Sequence, residues 1–160
     1  MAGANLGAGV GPARAHERVG PQRGRLADAL TAFRSAQDAD GVDDHEWCTR
    51  LAAALADLRD AWEAHVAFTE DADTGLFTEL LEDHVEVAAP EVDHLRRDHE
   101  AVAVALTRAG ELLGGPDAGP SDAKLLASLA AVTKQVEAHR RRGAELLYRV
   151  YNVDPTGGGS

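Results

Sequence analysis

The stretch WCTRLAAALADLRDAWEAH at 47–65 decides the fold. Large apolar side chains and one final histidine recur along it at spacings of three and four, at Trp47, Leu51, Leu55, Leu58, Trp62 and His65. Residues three and four apart share one face of an α-helix, so this pattern predicts an amphipathic helix whose apolar face turns to a core. An aspartate at 43 or 44 can cap its start, and the pattern persists to about Glu70.

Three other long segments have the same periodicity, at 21–38, 90–113 and 121–150. A shorter helical stretch at 76–84 follows the turn-like sequence DADTG. Glycine, proline and aspartate are frequent in the connections, which is typical of turns. Four amphipathic helices with short connections predict an all-α fold, an antiparallel up-down-up-down four-helix bundle.

The amino-acid composition favours the same fold and sets the domain boundaries. Alanine and leucine, which lead the helix-propensity scale, are abundant, whereas isoleucine is absent from the sequence. Residues 1–20 are rich in glycine and lack a sustained period, so we expect a disordered lead-in. The bundle is predicted over 21–152, and the glycine-rich end at 153–160 is predicted to be a flexible tail.

Charge and cysteine content exclude several classes of protein. The formal net charge of −11 opposes non-specific attraction to phosphate backbones, so nucleic acid is not an expected partner. No apolar run is long enough for a membrane span, and Met1 is not followed by the layout of a signal peptide. Cys48 is the single cysteine, which fits a reducing cytoplasm. A protein partner or a homo-oligomer stays open.

Three histidines occupy core positions on three different helices, where leucine or valine would be expected: His65, His99 and His139. His65 lies about ten residues before the break near Gly75, and His99 lies about nine residues after Pro90. Measured from the other turn, His99 and His139 differ in depth by about one helical turn. The sequence therefore predicts that all three imidazoles converge on one interior point.

Convergent imidazoles in a helical bundle are a usual way to bind iron, zinc or copper. Glu70 is the carboxylate best placed to join His65, His99 and His139 in a metal site. The alternative is that each histidine is a core residue that hydrogen bonds to a buried water molecule or a neighbouring carboxylate. The remaining histidines lie off the apolar stripes and are predicted to have no role in the site: His16, His45, His84 and His94.

At these residues a resemblance to a known family is found. The order of four helices, together with four segments that follow the first helix, resembles the hemerythrin-like cation-binding domain: HVAFTE at 65–70, LFTELL at 76–81, HLRRDHE at 94–100 and EAHRRRGAELLY at 137–148. The resemblance covers roughly residues 22–152. It implies a four-helix bundle that binds metal, and O2 handling or sensing where the family's di-iron ligand set of five histidines and two carboxylates is complete.

This sequence departs from the family's ligand pattern on each long helix. The first helix has no histidine, and the position four residues after His65 is Thr69, with Glu70 one residue further on. The position four residues before His99 is Leu95, and the position four residues after His139 is Gly143. A di-iron O2 carrier is therefore not expected. A set of three histidines and Glu70 can still hold one zinc or ferrous ion.

The sequence thus favours a hemerythrin-like domain with a mononuclear or vestigial site for iron, with zinc as the second choice, and a role in metal or O2 sensing. The alternative is a metal-free helical bundle that serves as a protein-interaction or regulatory module. The sequence has no glycine-rich phosphate loop, no paired CxxC and no nucleophile elbow. An enzymatic function therefore has no support from a known motif. An enzyme with a non-haem iron active site stays open only if the three-histidine site leaves coordination positions free and admits a substrate.

Overall fold

The computed structural model describes residues 13–151, and the all-α prediction is confirmed for this part of the chain. It contains four long helices and one short helix: α1 at Ala15–Gln37, α2 at Asp44–Glu70, α3 at Leu76–Asp83, α4 at Val85–Leu113 and α5 at Ala123–Tyr151. The predicted cap of α2 is present, because the Asp43 carboxylate accepts a hydrogen bond from the Glu46 backbone N–H at 2.7 Å. None of the helices within 13–151 combines the length and the apolar character that a membrane crossing requires.

The first helix starts earlier than the sequence predicts. It begins at Ala15 and not at Pro21, so residues 15–20 of the predicted disordered lead-in are helical. The cause is a contact between distant parts of the chain: the carboxylate of Glu79 on α3 accepts hydrogen bonds from the backbone N–H groups of Ala15 and His16. The rest of the predicted lead-in, at 1–12, and the predicted tail at 153–160 lie outside the described residues.

The fourth helix also starts before the predicted position. It begins at Val85, directly after α3, and Pro90 lies inside it. Proline has no N–H, so the bond that residue 90 would donate to the carbonyl of Glu86 is missing. Packing outweighs this loss, because the additional turn buries Ala88 completely.

Contacts between helix ends fix the directions of α1, α2 and α4. The Trp47 indole N–H, near the start of α2, donates to the carbonyl of Gln37 at the end of α1 at 3.0 Å. Arg18, near the start of α1, donates to the Thr74 carbonyl just beyond the end of α2 at 2.9 Å. These two helices are therefore antiparallel. The same holds for α2 and α4, through the contacts of Arg59 with Leu106 and of Glu70 with Arg96.

The core consists of two apolar clusters. The larger one is built from α1, α2, α4 and α5, and the smaller one from α3, the first turn of α1 and the adjoining parts of α4 and α5. On α4, Leu95 belongs to the smaller cluster and Val102 to the larger, so His99 lies between them. On α5, His139 lies likewise between Val136 and Leu146. The histidines therefore occupy a polar layer inside an otherwise apolar interior.

Two leucines give a matched test of the larger cluster. Leu51 is 0% exposed, whereas Leu126 on α5 is 39% exposed. Leu51→Ala should lower the free energy of unfolding by roughly 2–5 kcal/mol, since it removes buried methyl groups and leaves a cavity. Leu126→Ala should change it by less than about 1 kcal/mol. Urea denaturation of both variants measures this difference, and equal losses would contradict the assigned core.

Candidate metal centre

The predicted convergence of three histidines is confirmed. His65 on α2, His99 on α4 and His139 on α5 each offer one nitrogen, and these nitrogens lie within 4.8 Å of one another. The Nε2 atoms of His65 and His139 are 2.9 Å apart, which is a hydrogen-bond distance. Within 13–151 these three residues are the one group of histidine, cysteine or carboxylate side chains that meets this distance criterion for holding a metal ion.

Aromatic side chains surround the three imidazoles. His99 and His139 are 4% and 3% exposed, and His65 is partly buried. The ring of Trp62 lies 5.0–5.6 Å from all three imidazole centroids, and Phe77 stacks on His99 at 5.4 Å. These contacts restrict how far each imidazole can turn, so the ring positions are set by the core.

Asp98 orients His139 and is the site residue that the sequence reasoning missed. Its carboxylate lies 3.0 Å from Nδ1 of His139 and accepts two hydrogen bonds from Arg142, at 3.1 and 2.7 Å. A carboxylate held against Nδ1 favours the tautomer that leaves Nε2 free to act as a ligand. Asp98 is next to His99 in the sequence, and this is the one feature that could have pointed to it. Its carboxylate contacts His139 on another helix, however, and helical periodicity does not predict contacts between helices.

Glu70, the predicted fourth ligand, lies behind His99. Its carboxylate is 3.1 Å from Nδ1 of His99 and 3.6 Å from Arg96. The carboxylate approaches Nδ1 at ion-pair distance but outside hydrogen-bond geometry. Nε2 of His99 is also buried and has no partner, so neither nitrogen of this ring makes a hydrogen bond. Glu70 therefore contacts the outer side of His99 and does not belong to the group of three nitrogens.

Burial keeps the three imidazoles neutral. Burial, together with the neighbouring imidazoles, lowers the pKa of His65 to about 3. Burial also lowers the pKa of His139 to about 4, although the hydrogen bond to Asp98 opposes this shift. The pKa of His99 is lowered by burial, with Glu70 acting in the opposite direction. Neutral imidazole is the form that binds metal ions, so no proton has to be displaced near pH 7.

The carboxylate of Asp98 stays ionised next to these neutral rings. Burial alone would raise its pKa, but the hydrogen bonds from Arg142 and His139 hold the pKa of Asp98 below its usual value. The layer thus combines three neutral nitrogen donors with carboxylates on its outer side. Such an arrangement suits a cation at its centre, because outer carboxylates offset part of the ion's charge and make the imidazoles better donors.

A small cavity adjoins the cluster. Its volume is about 40 Å³, and His65 and His139 form part of its wall together with apolar side chains such as Phe77 and Leu80. The wall includes Gly143, where an added Cβ would meet nothing within 4 Å. A cavity of this size has room for one or two water molecules. The cluster therefore has space beside it for a further small ligand.

The remaining histidines do not reach the cluster. His94 is half exposed, with Nε2 3.9 Å from Asp98, and His45 is exposed on the first turn of α2. His16 has contacts that the sequence did not predict, because its Nδ1 lies 2.8 Å from Glu79 and its ring stacks on Tyr151. Its position on the helical part of the predicted lead-in explains why these contacts were missed.

Compared with family models, with curated proteins and with solved structures, this chain matches none of them.

Proposed function

We propose that this protein binds one divalent transition-metal ion, zinc or ferrous iron, through His65, His99 and His139. The observation that carries the proposal is the convergence of three neutral imidazoles from three helices, with their nitrogens within 4.8 Å of one another. Zinc sites of three histidines and a water molecule are a common coordination type, and imidazole is also a ligand for iron. The cavity beside His65 and His139 gives a water molecule room to complete the set.

The donor set favours one ion over a pair. Three nitrogens suffice for a mononuclear site, whereas a di-iron centre needs bridging carboxylates. Thr69 and Gly143 stand where the resemblance to hemerythrin-like domains would place carboxylates. With Nδ1 turned to Glu70, His99 has its Nε2 left for the metal. The ion's charge is partly offset by Asp98 and Glu70.

The distance between His65 and His139 requires only a small adjustment on metal binding. Two nitrogens bound to one tetrahedral zinc ion lie about 3.3 Å apart. The Nε2 atoms of His65 and His139 are separated by 2.9 Å. For this pair, a displacement of a few tenths of an ångström at each ring would reach that separation, and the neutral His65 ring would carry its proton on Nδ1 in place of Nε2.

The proposal includes the hemerythrin-like architecture, an up-down-up-down bundle of α1, α2, α4 and α5 with a role in metal or O2 sensing. The proposed arrangement of the helices is supported by the antiparallel contacts of α1 with α2 and of α2 with α4, and by the packing of α4 against α5. The polar layer between two apolar clusters provides the interior position that such a site needs.

The second candidate is a metal-free helical bundle that acts as a protein-interaction or regulatory module. The observation in its favour is the same 2.9 Å contact between His65 and His139. If one Nε2 is protonated, the two rings form a hydrogen bond that satisfies both nitrogens without an ion. The two candidates differ in one measurable property, the affinity for a metal ion at neutral pH.

Isothermal titration of the full chain with Zn²⁺, with elemental analysis of the product, distinguishes the candidates. The metal-binding proposal predicts about one ion per chain and at least a tenfold loss of affinity in His99→Ala, because a ligand is removed. The matched control is His45→Ala, which removes an exposed histidine of α2 and should leave the affinity unchanged. Equal affinities in the parent and His99→Ala, or no binding at all, would favour the metal-free module.

The outer carboxylate gives a separate test. Asp98→Asn keeps the size of the side chain but removes the charge that orients His139, so the affinity for Zn²⁺ should fall roughly tenfold or more. Glu100→Gln removes an exposed charge two residues away and should have little effect. If both variants lose affinity equally, the effect is one of general electrostatics, and the role given to Asp98 is wrong.

A further inference from the structure

The first turn of α1 is attached to the rest of the molecule through one buried carboxylate. Glu79 on α3 is 6% exposed. It accepts hydrogen bonds from the backbone N–H groups of Ala15 and His16, from Arg14 Nε at 2.9 Å and from Tyr151 Oη at 2.5 Å, and it contacts His16 Nδ1 at 2.8 Å. Burial alone would raise the pKa of Glu79, but these hydrogen bonds hold the pKa at about 2. One charge therefore connects α1, α3 and the end of α5.

The helix is weak where this attached segment joins the rest of α1. Pro21 cannot donate the backbone bond to the carbonyl of Glu17, and Gly20 next to it is a poor helix former. Before this point, Ala15 is the one fully buried apolar side chain of the segment, and Val19 is partly buried. Beyond Glu79, further attachment comes from the ion pair of Arg14 with Asp83 and from Arg18, which donates to the Thr74 carbonyl at 2.9 Å.

The segment contributes one side chain to the wall of the cavity beside the histidines. Val19 on the segment and Arg23 just beyond Pro21 form part of the cavity wall, together with His65 and His139. Side chains of α3 and α5 also line this cavity. Displacement of the segment would remove Val19 from this wall, which His65 and His139 also form.

We propose that residues 14–20 form a latch over the metal site, that the Glu79 carboxylate holds it closed, and that its opening limits how fast a metal ion enters and leaves. This inference rests on the proposed metal-binding function. Opening means unwinding of the helix before Pro21 with loss of the Glu79 contacts. Because the latch contributes no ligand, it changes the rates of binding and release together and leaves the affinity nearly constant.

The kinetic test uses the full chain loaded with Co²⁺, whose visible absorption reports its ligands, and transfer of the ion to excess EDTA. Glu79→Gln, which removes the charge, should speed release at least tenfold, with a change in Kd of less than about threefold. Gly20→Ala should slow release roughly fivefold, since alanine strengthens the helix and its Cβ meets nothing within 4 Å. The matched control is Glu137→Gln, which removes an ion pair between α5 and Arg34 of α1 outside the latch and should leave the rate unchanged.

Hydrogen–deuterium exchange of the metal-free chain separates the latch from the metal-binding proposal. Glu79→Gln should raise amide exchange at 15–20 and leave the centres of α2, α4 and α5 protected. Exchange that rises equally in all helices, or release rates equal to the parent, would overturn the latch. If the parent binds no Co²⁺, the proposed function fails, and the proposed control of metal entry and release fails with it. The hydrogen–deuterium exchange data still decide whether Glu79 holds the segment in place.

Discussion

The interaction on which the rest of the structure depends is the mutual contact of three imidazoles in an apolar interior. A buried polar ring is costly unless its nitrogens have partners, and a buried imidazolium is more costly still. Here burial keeps His65, His99 and His139 neutral. His65 and His139 are partners of one another, whereas both nitrogens of His99 are buried without a hydrogen-bond partner. This requirement fixes the relative depth of α2, α4 and α5, since the three rings meet only when the helices are in register.

The two apolar clusters and the outer carboxylates support this layer from different sides. Packing above and below the layer holds the rings through Trp62 and Phe77. Asp98, paired with Arg142, supplies negative charge and direction. In the proposed function, the packing determines where an ion can lie, and the carboxylates determine how strongly the imidazoles bind it. The short helix α3 also contributes, because its Glu79 carboxylate connects the start of α1 to the end of α5.

Helical periodicity was enough to predict the long helices and the convergence of the histidines, because both follow from the spacing of residues along one helix. Periodicity does not predict the features that depend on a contact between two different helices. The early start of α1 depends on Glu79, 64 positions away from Ala15. The orientation of His139 depends on Asp98, and the outer place of Glu70 depends on how α2 and α4 pack. The sequence predicts a helix start at Pro90, but packing of the turn before it outweighs the missing hydrogen bond.

The central claim is that three imidazole nitrogens hold one metal ion. The measurement that tests it most directly is X-ray absorption spectroscopy at the zinc edge, on the full chain loaded with one equivalent of Zn²⁺. A mononuclear three-histidine site predicts about three imidazole nitrogens at roughly 2.0–2.1 Å, with one water oxygen completing the shell. A shell of oxygen atoms without imidazole scattering would contradict it, and it would place the bound ion among surface carboxylates.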